Sequence, residues 1–173
     1  MPSTPVPLAV ISTIGSALPG AGGYPIEVAV ADVATGRVWS SLVLPTLAWT
    51  ERGFWDDGDE EGHGIGWMQL QVEGTPVADV ADALLRHCRG RLLVSDMPGI
   101  DRAWIAMLLD AARCRGDHLL VLDALDYLAG VTGRDRGELV TQAGRLSRLV
   151  PGAARAPDDA QRYAHAMRVL STV

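Results

Sequence analysis

The period of the apolar pattern changes partway along the chain. "PLAVIST" (7–13) is a short continuous apolar run, rich in β-branched residues and bounded by Pro and Gly, and it reads as a buried strand. After the glycine-rich "GSALPGAGG", the run "PIEVAVADV" (25–33) alternates with period two, and "ATG" turns the chain into "RVWSSLVLP" (37–45), which alternates again. Strand, turn and strand in that order predict an antiparallel meander. The segment 46–74, "TLAWTERGFWDDGDEEGHGIGWMQLQVEG", keeps no period and is acidic and aromatic. At that length it is more than a connector, and it reads as a functional loop or a mobile flap.

From Thr75 onward the period becomes helical. Thr75 as N-cap and Pro76 at the first helical position start a helix with Val77, Val80, Ala81, Leu84, Leu85 and Cys88 on one face, ended by Gly90. "RLLVS" (91–95) is a second buried strand. "DMPGIDRAWIAMLLDAARCRG" follows as a helix with Ile100, Trp104, Ile105, Leu108, Leu109 and Ala112 aligned, and "HLLVLD" (118–123) as a third buried strand. A helical region extends to about Val150, with breaks that the pattern does not place. The last helix starts at Pro157, with Asp158 and Asp159 in its first turn, where the helix dipole favours carboxylates. The order β-β-β-α-β-α-β-α predicts an α/β fold: a mixed sheet of three antiparallel strands and then two parallel strands, with helices on both faces. That topology resembles the ribonuclease-H-like fold. Residues 1–173 are expected to form a single domain.

Composition narrows the partners. The formal charge is −6, and all 15 basic residues are Arg. A surface of that sign has no global attraction for nucleic acid, so binding needs a local basic patch, and the stretch with Arg134, Arg136, Arg145, Arg148 and Arg155 is the place for one. Cys88 and Cys114 lack metal-ligand spacing and read as thiols of a reducing, cytoplasmic compartment. The N-terminal apolar run is too short for a signal peptide or a membrane span, so no membrane association is expected.

Several separated stretches carry a family resemblance. "STIGSALPG" followed by "YPIEVAV" resembles the first motif of the DEDD superfamily of 3′→5′ exonucleases, the proofreading-exonuclease and oligoribonuclease type, in which Asp-Thr-Glu-Thr-Thr-Gly precedes a strand carrying Ile-Glu-Ile. Glu27 matches that second-strand glutamate. "HGI" (63–65) matches a His-Gly-Ile element. "LVSDMPGIDRAWI" places Asp101 at the aspartate of the second motif, and "LVLDAL" places Asp123 at an Ile-Asp-Thr element. "ARAPDDAQ" supplies Ala156, Asp159 and Ala160 of the third motif.

The resemblance also exposes what is missing. Ser12 stands where the first motif has its aspartate and Ile14 where it has its glutamate. Ala154 falls at the general-base His, and Arg155 where a Tyr variant of that base would fall. The family implies two divalent ions, Mg or Mn, about 4 Å apart, which activate a water and stabilise the leaving oxygen. A serine hydroxyl is a poor replacement for a bridging carboxylate, Ile14 cannot ligate, and Ala154 cannot take a proton. The expectation is an exonuclease-like domain that has lost 3′→5′ exonuclease activity, expects no cofactor, and binds single-stranded nucleic acid weakly or a protein partner. The alternative is an active divalent-metal-dependent exonuclease using non-standard residues, with Asp101 and Asp159 as metal ligands. The sequence leaves the oligomeric state open.

Other acids and aromatics have competing readings. Asp101 and Asp159 also fit as first-turn aspartates that stabilise helix N-termini. Asp96 could swing toward the site. His165 lies too far along the last helix to act as the base. "DDGDEEGH" (56–63) lacks the alternating ligand spacing of a calcium loop and reads as a solvated acidic loop. Trp49, Trp55 and Trp67 could stack bases but fit core or flap packing better. A ribonuclease-H-like fold would bring the vestigial site Ser12, Ile14, Asp101 and Asp159 to one end of the sheet, the carboxylates turned to water, arginines or helix amides.

Overall fold

A computed structural model describes residues 6–114 and 119–172. The first strand, β1 (Leu8–Gly15), has Ala9, Val10 and Ile11 almost wholly buried, so both of its faces are covered and it sits inside the sheet. Antiparallel β2 (Pro25–Asp32) pairs with it, and β3 (Val38–Leu44) pairs antiparallel with β2. On the other side of β1 lie β5 (Leu92–Ser95) and β6 (Val121–Asp123), both parallel. A two-residue β4 (Thr75–Pro76) runs parallel to β3 at the far edge, so the six-stranded order is β4-β3-β2-β1-β5-β6.

Helices cover both faces. On one, α4 (Val77–Cys88) and α5 (Pro98–Ala111) pack Val80, Leu84, Ile105 and Leu108 against Ala9, Ile11 and Val28. On the other, α6 (Ala124–Thr132), α7 (Arg136–Ser147) and α8 (Ala156–Leu170) pack Leu128, Leu139, Ala160 and Met167 against Val10, Ala29 and Ala31. Ala156, Ala160 and Ala164 form a small-residue stripe that lets α8 lie close on β1 and β2.

Three expectations are corrected. Thr75 and Pro76 do not open a helix. They pair with Val43 and Leu44, and α4 starts one residue later, because Pro76 can sit on an edge where no ladder N–H is needed. The segment 46–74 is not irregular but holds three short helices, α1 (Leu47–Arg52), α2 (Asp57–His63) and α3 (Trp67–Glu73). Their apolar residues are too few for a visible period, and they are anchored by Tyr24, Ile26, Ile65 and Leu70 in a third cluster with Trp49 and Trp55. The helical region to Val150, whose breaks the sequence left open, is two helices separated by Gly133 in the left-handed conformation (φ 69°) and by Asp135, which caps α7. His118 lies outside the described residues, and β6 begins only at Val121.

Candidate active site

Strand parity decides what the end of β1 presents. Ala9 and Ile11 face α4 and α5, and Val10 faces α6–α8. Ser12 and Ile14 therefore continue the α8 face, while Thr13 points to the α5 face. Its Oγ1 donates to Asp101 Oδ1 at 2.5 Å. Ser95, which shares the parity of Leu93 on β5, donates to the other carboxylate oxygen. Asp101, only 3% exposed, is thus sealed under the sheet by two hydroxyls, and burial pushes its pKa up to about 6. Its bonds are to side chains on the α5 face, whereas Ser12 and Ile14 occupy the other.

The acid that joins Ser12 and Ile14 on the α8 face is Asp96. Val10 pairs with Val94 across β1 and β5, and Asp96 follows directly after the end of β5 at the parity of Val94. Burial raises the pKa of Asp96, and the Tyr163 hydroxyl of α8 and the Asp123 charge also act on it. Burial likewise raises Asp159, whose carboxylate pairs with Arg162 at 2.7 Å and feels the Asp96 charge. Tyr163 is pushed up to about 12, first by burial and then by Asp96. The structure therefore brings Asp96, Asp159 and Tyr163 together, with Asp123 near enough to act on two of them. Asp123 itself caps α6 through the amides of Leu125 and Asp126 and pairs with Arg136. Sequence reasoning gave Asp96 little weight. The signal that finds it is its parity with Val94, readable only once β5 is paired with β1.

Where the missing glutamate would project, the site is filled. Ile14 is directly opposite Glu27 in the β1–β2 ladder, so both side chains share the α8 face. Ile14 packs at the junction of the α8-side core and the Tyr24 cluster. Glu27 is 2% exposed, and its carboxylate is fully engaged. Arg155 donates Nε to Oε2 at 2.9 Å and Nη2 to Oε1 at 2.5 Å, and the Ala156 amide donates to Oε2 at 2.9 Å. Glu27 thus supplies from 128 residues away the cap that the N-cap residue of α8, Arg155, lacks. Ala154, at the base position, is exposed and carries no polar side chain.

The HGI element has a structural cause. Gly64 takes the left-handed conformation (φ 68°) that ends α2, and this turn drives Ile65 into the core at 0% exposure. His63 is buried. Its Nδ1 accepts the Ile65 amide at 3.0 Å, and its Nε2 has no hydrogen-bond partner among the described residues. Burial pushes its pKa down, and Arg155 and Glu27 both act on it, so the end of α2 borders the Glu27–Arg155 pair.

The side chains of Ile14, Glu27 and Asp101 do not suit a metal pair. Ile14 has no ligand atom, Glu27 spends both oxygens on Arg155 and an amide, and Asp101 is held on the opposite face by hydroxyls. No group of three His, Cys, Asp or Glu side chains suited to an ion occurs among the described residues. Of the arginine stretch, Arg134, Arg136 and Arg155 are each paired with a carboxylate, which weakens the expected basic patch. Trp49 and Trp55 pack around Tyr24, at centroid distances of 6.0 and 6.4 Å, so they are anchors rather than free stacking surfaces.

The sheet order, the helices on both faces and the convergence of strand ends with the start of α8 define a ribonuclease-H-like fold. Solved structures agree on the class: the fold is that of the DEDD-type 3′→5′ exonucleases. The nuclease domain of 3'hExo, a DEDDh family member bound to rAMP, superposes with a TM-score of 0.73 at 14% identity, covering 98% of this chain and 94% of that one. E. coli Exonuclease I in complex with a dT13 oligonucleotide matches at a TM-score of 0.67 and 10% identity, over 96% of this chain but only 40% of that one. A 3'-exonuclease described in 3'-end specific recognition of histone mRNA stem-loop matches at 0.67 and 14%, over 96% and 64%. No model of a known protein family matches the sequence, and no curated protein matches it.

Proposed function

We propose that this chain is an exonuclease-like domain without 3′→5′ exonuclease activity that works as a binding module. The observation that carries the proposal is the Glu27–Arg155 ion pair beside Ile14: a methyl-rich side chain stands where the two-metal chemistry needs a carboxylate, and a paired guanidinium where a variant of the base would fall. The family's plan brings four carboxylates to two divalent ions. Here one position is Ser12, one is Ile14, and Asp101 is engaged by the hydroxyls of Thr13 and Ser95. Each unit charge pair at 4 Å is worth on the order of 4 kcal/mol near a surface, so metal affinity falls by several decades. The alanine at the base position removes roughly a further 10²–10⁴ in rate.

The test is a labelled oligonucleotide, RNA and DNA in turn, incubated with Mg²⁺ or Mn²⁺. No shortening above a buffer control is expected. Stepwise shortening that disappears in Asp159→Ala would end the proposal.

One observation favours the alternative, an active metal-dependent exonuclease built on non-standard residues: Asp96, just past the end of β5, lies by the Tyr163 hydroxyl of α8, and its charge acts on Asp159. In that reading Asp96 replaces the first-motif aspartate. Calorimetric Mn²⁺ binding abolished by Asp96→Asn but untouched by Asp101→Asn would single it out. As for ligands, the nucleic acids named with the similar structures make single-stranded nucleic acid one candidate, and the acidic segment 46–74 points to a protein as the other.

A further inference from the structure

We propose that the surface formed by α1–α3 is a docking platform for a basic amphipathic helix of a partner protein. This deepens the binding-module proposal and rests on it. The segment 46–74 holds seven acidic residues, Glu51, Asp56, Asp57, Asp59, Glu60, Glu61 and Glu73, against one arginine, Arg52. Its formal charge of −6 equals that of the whole chain, so the rest of the sequence is balanced and the acidity is concentrated on this one segment.

The same segment leaves large apolar side chains in water. Met68 and Val72 are 70% and 79% exposed, and their i, i+4 spacing puts them on one face of α3, away from Leu70, which is fully buried. Phe54 is 50% exposed and Trp67 38%. Glu60 of α2 and the tryptophan at the start of α3 meet at Trp55. The Trp55 indole donates to Glu60 at 2.7 Å, its ring meets Trp67 edge-on at 5.9 Å, and it leans on Tyr24 below.

A partner has to cover the apolar side chains and match the acids. Nucleic acid fails on the second count, because its phosphates meet a field of their own sign. A helix with an apolar stripe flanked by Arg or Lys meets both. Met68 and Val72, one turn apart, accept anchors spaced by three or four residues, and Met adapts to irregular shapes. Opposite charge around the rim steers and orients the encounter.

The probe is a synthetic peptide of about 20 residues, roughly 30 Å as a helix, with Leu and Phe along one stripe and Arg on the other face. It is compared with a scrambled peptide of the same composition and with a single-stranded oligonucleotide. The amphipathic peptide is expected to bind at least about tenfold tighter than the scrambled one. Met68→Glu with Val72→Glu should remove that advantage with no change in melting temperature, both side chains being exposed. Asp57→Asn, Asp59→Asn and Glu61→Gln together should weaken binding and flatten its salt dependence. The proposal is overturned if the two peptides bind alike, if neither binds, if Met68→Glu/Val72→Glu binds as the parent does, or if the oligonucleotide competes for this face. Nuclease activity with peptide binding intact would remove the binding-module proposal as stated and leave the platform. An inactive protein that ignores the peptide would do the reverse.

Discussion

Arg155 and Glu27 show how one residue pair can redefine a site. A buried carboxylate that loses its one cationic partner among the described residues is left with its charge uncompensated, at a cost of about 3–5 kcal/mol. Arg155→Ala should therefore lower the denaturation midpoint strongly. Arg155→Lys, which keeps the charge but not the bidentate fork, should fall between. Equal stability of Arg155→Ala and parent would mean that the pair does not organise the start of α8. Asp101 allows a second test. Its pKa is raised from 3.8 to about 6, so the folded protein holds this proton more tightly than the unfolded chain. The stability it contributes is therefore fully present below about pH 4 and lost as pH rises through 6, amounting to about 3 kcal/mol by pH 8. Asp101→Asn cannot ionise, so its stability relative to the parent should improve from about pH 4 to pH 6 and level off above about pH 7. In measurements from pH 5 to pH 8, most of the rise should fall between about pH 5 and pH 6.5. Comparing variant with parent cancels the opposite contribution of His63, whose lowered pKa acts in both. A constant difference across that range would show Asp101 ionised throughout.

At the scale of elements, β1 is constrained most at its end. A Cβ on Gly15 would stand 2.4 Å from the Trp104 ring and 2.7 Å from the Ala17 carbonyl oxygen, so α5 packs on this strand only because the position has no side chain. Gly15→Ala should cost about 1–3 kcal/mol by overpacking, read as a lower urea midpoint with unchanged slope. An unaffected midpoint would show that Trp104, 2% exposed, can move aside. The approach matters for the site because the same helix carries Asp101 to the hydroxyls of Thr13 and Ser95. The three short helices of 46–74 illustrate the opposite case. None is long enough to be stable alone, and tertiary anchoring through Ile65, Leu70 and the tryptophans holds them.

For the whole molecule, restoring the family's residues should not by itself restore its chemistry. Ser12→Asp with Ile14→Glu puts two glutamates directly opposite each other at 14 and 27, beside an arginine already committed to one of them. The double variant is expected to bind Mn²⁺ no better than the parent by calorimetry, and to melt lower because like charges face each other across the ladder. Metal binding in the double variant would mean that Glu27 releases Arg155 readily. No helix among the described residues is long and apolar enough to cross a membrane.

The switch from period two to period 3.6 determined the order of strands and helices, because each element must bury one face and the spacing of apolar residues records which. The motif resemblance likewise set the expectation that Ser12, Ile14 and Ala154 lack the family's side chains, since side-chain chemistry is local. Which acids face one another was decided only in three dimensions. Asp96 and Asp101 are five residues apart and equally acidic in the sequence. The pairing of Val10 with Val94 sends the first to the α8 face, and the hydroxyls of Thr13 and Ser95 hold the second on the α5 face. The Glu27–Arg155 pair joins residues 128 positions apart. Register and long-range pairing belong to two segments at once, and a one-residue slip would exchange every face, so no local pattern in either segment contains them.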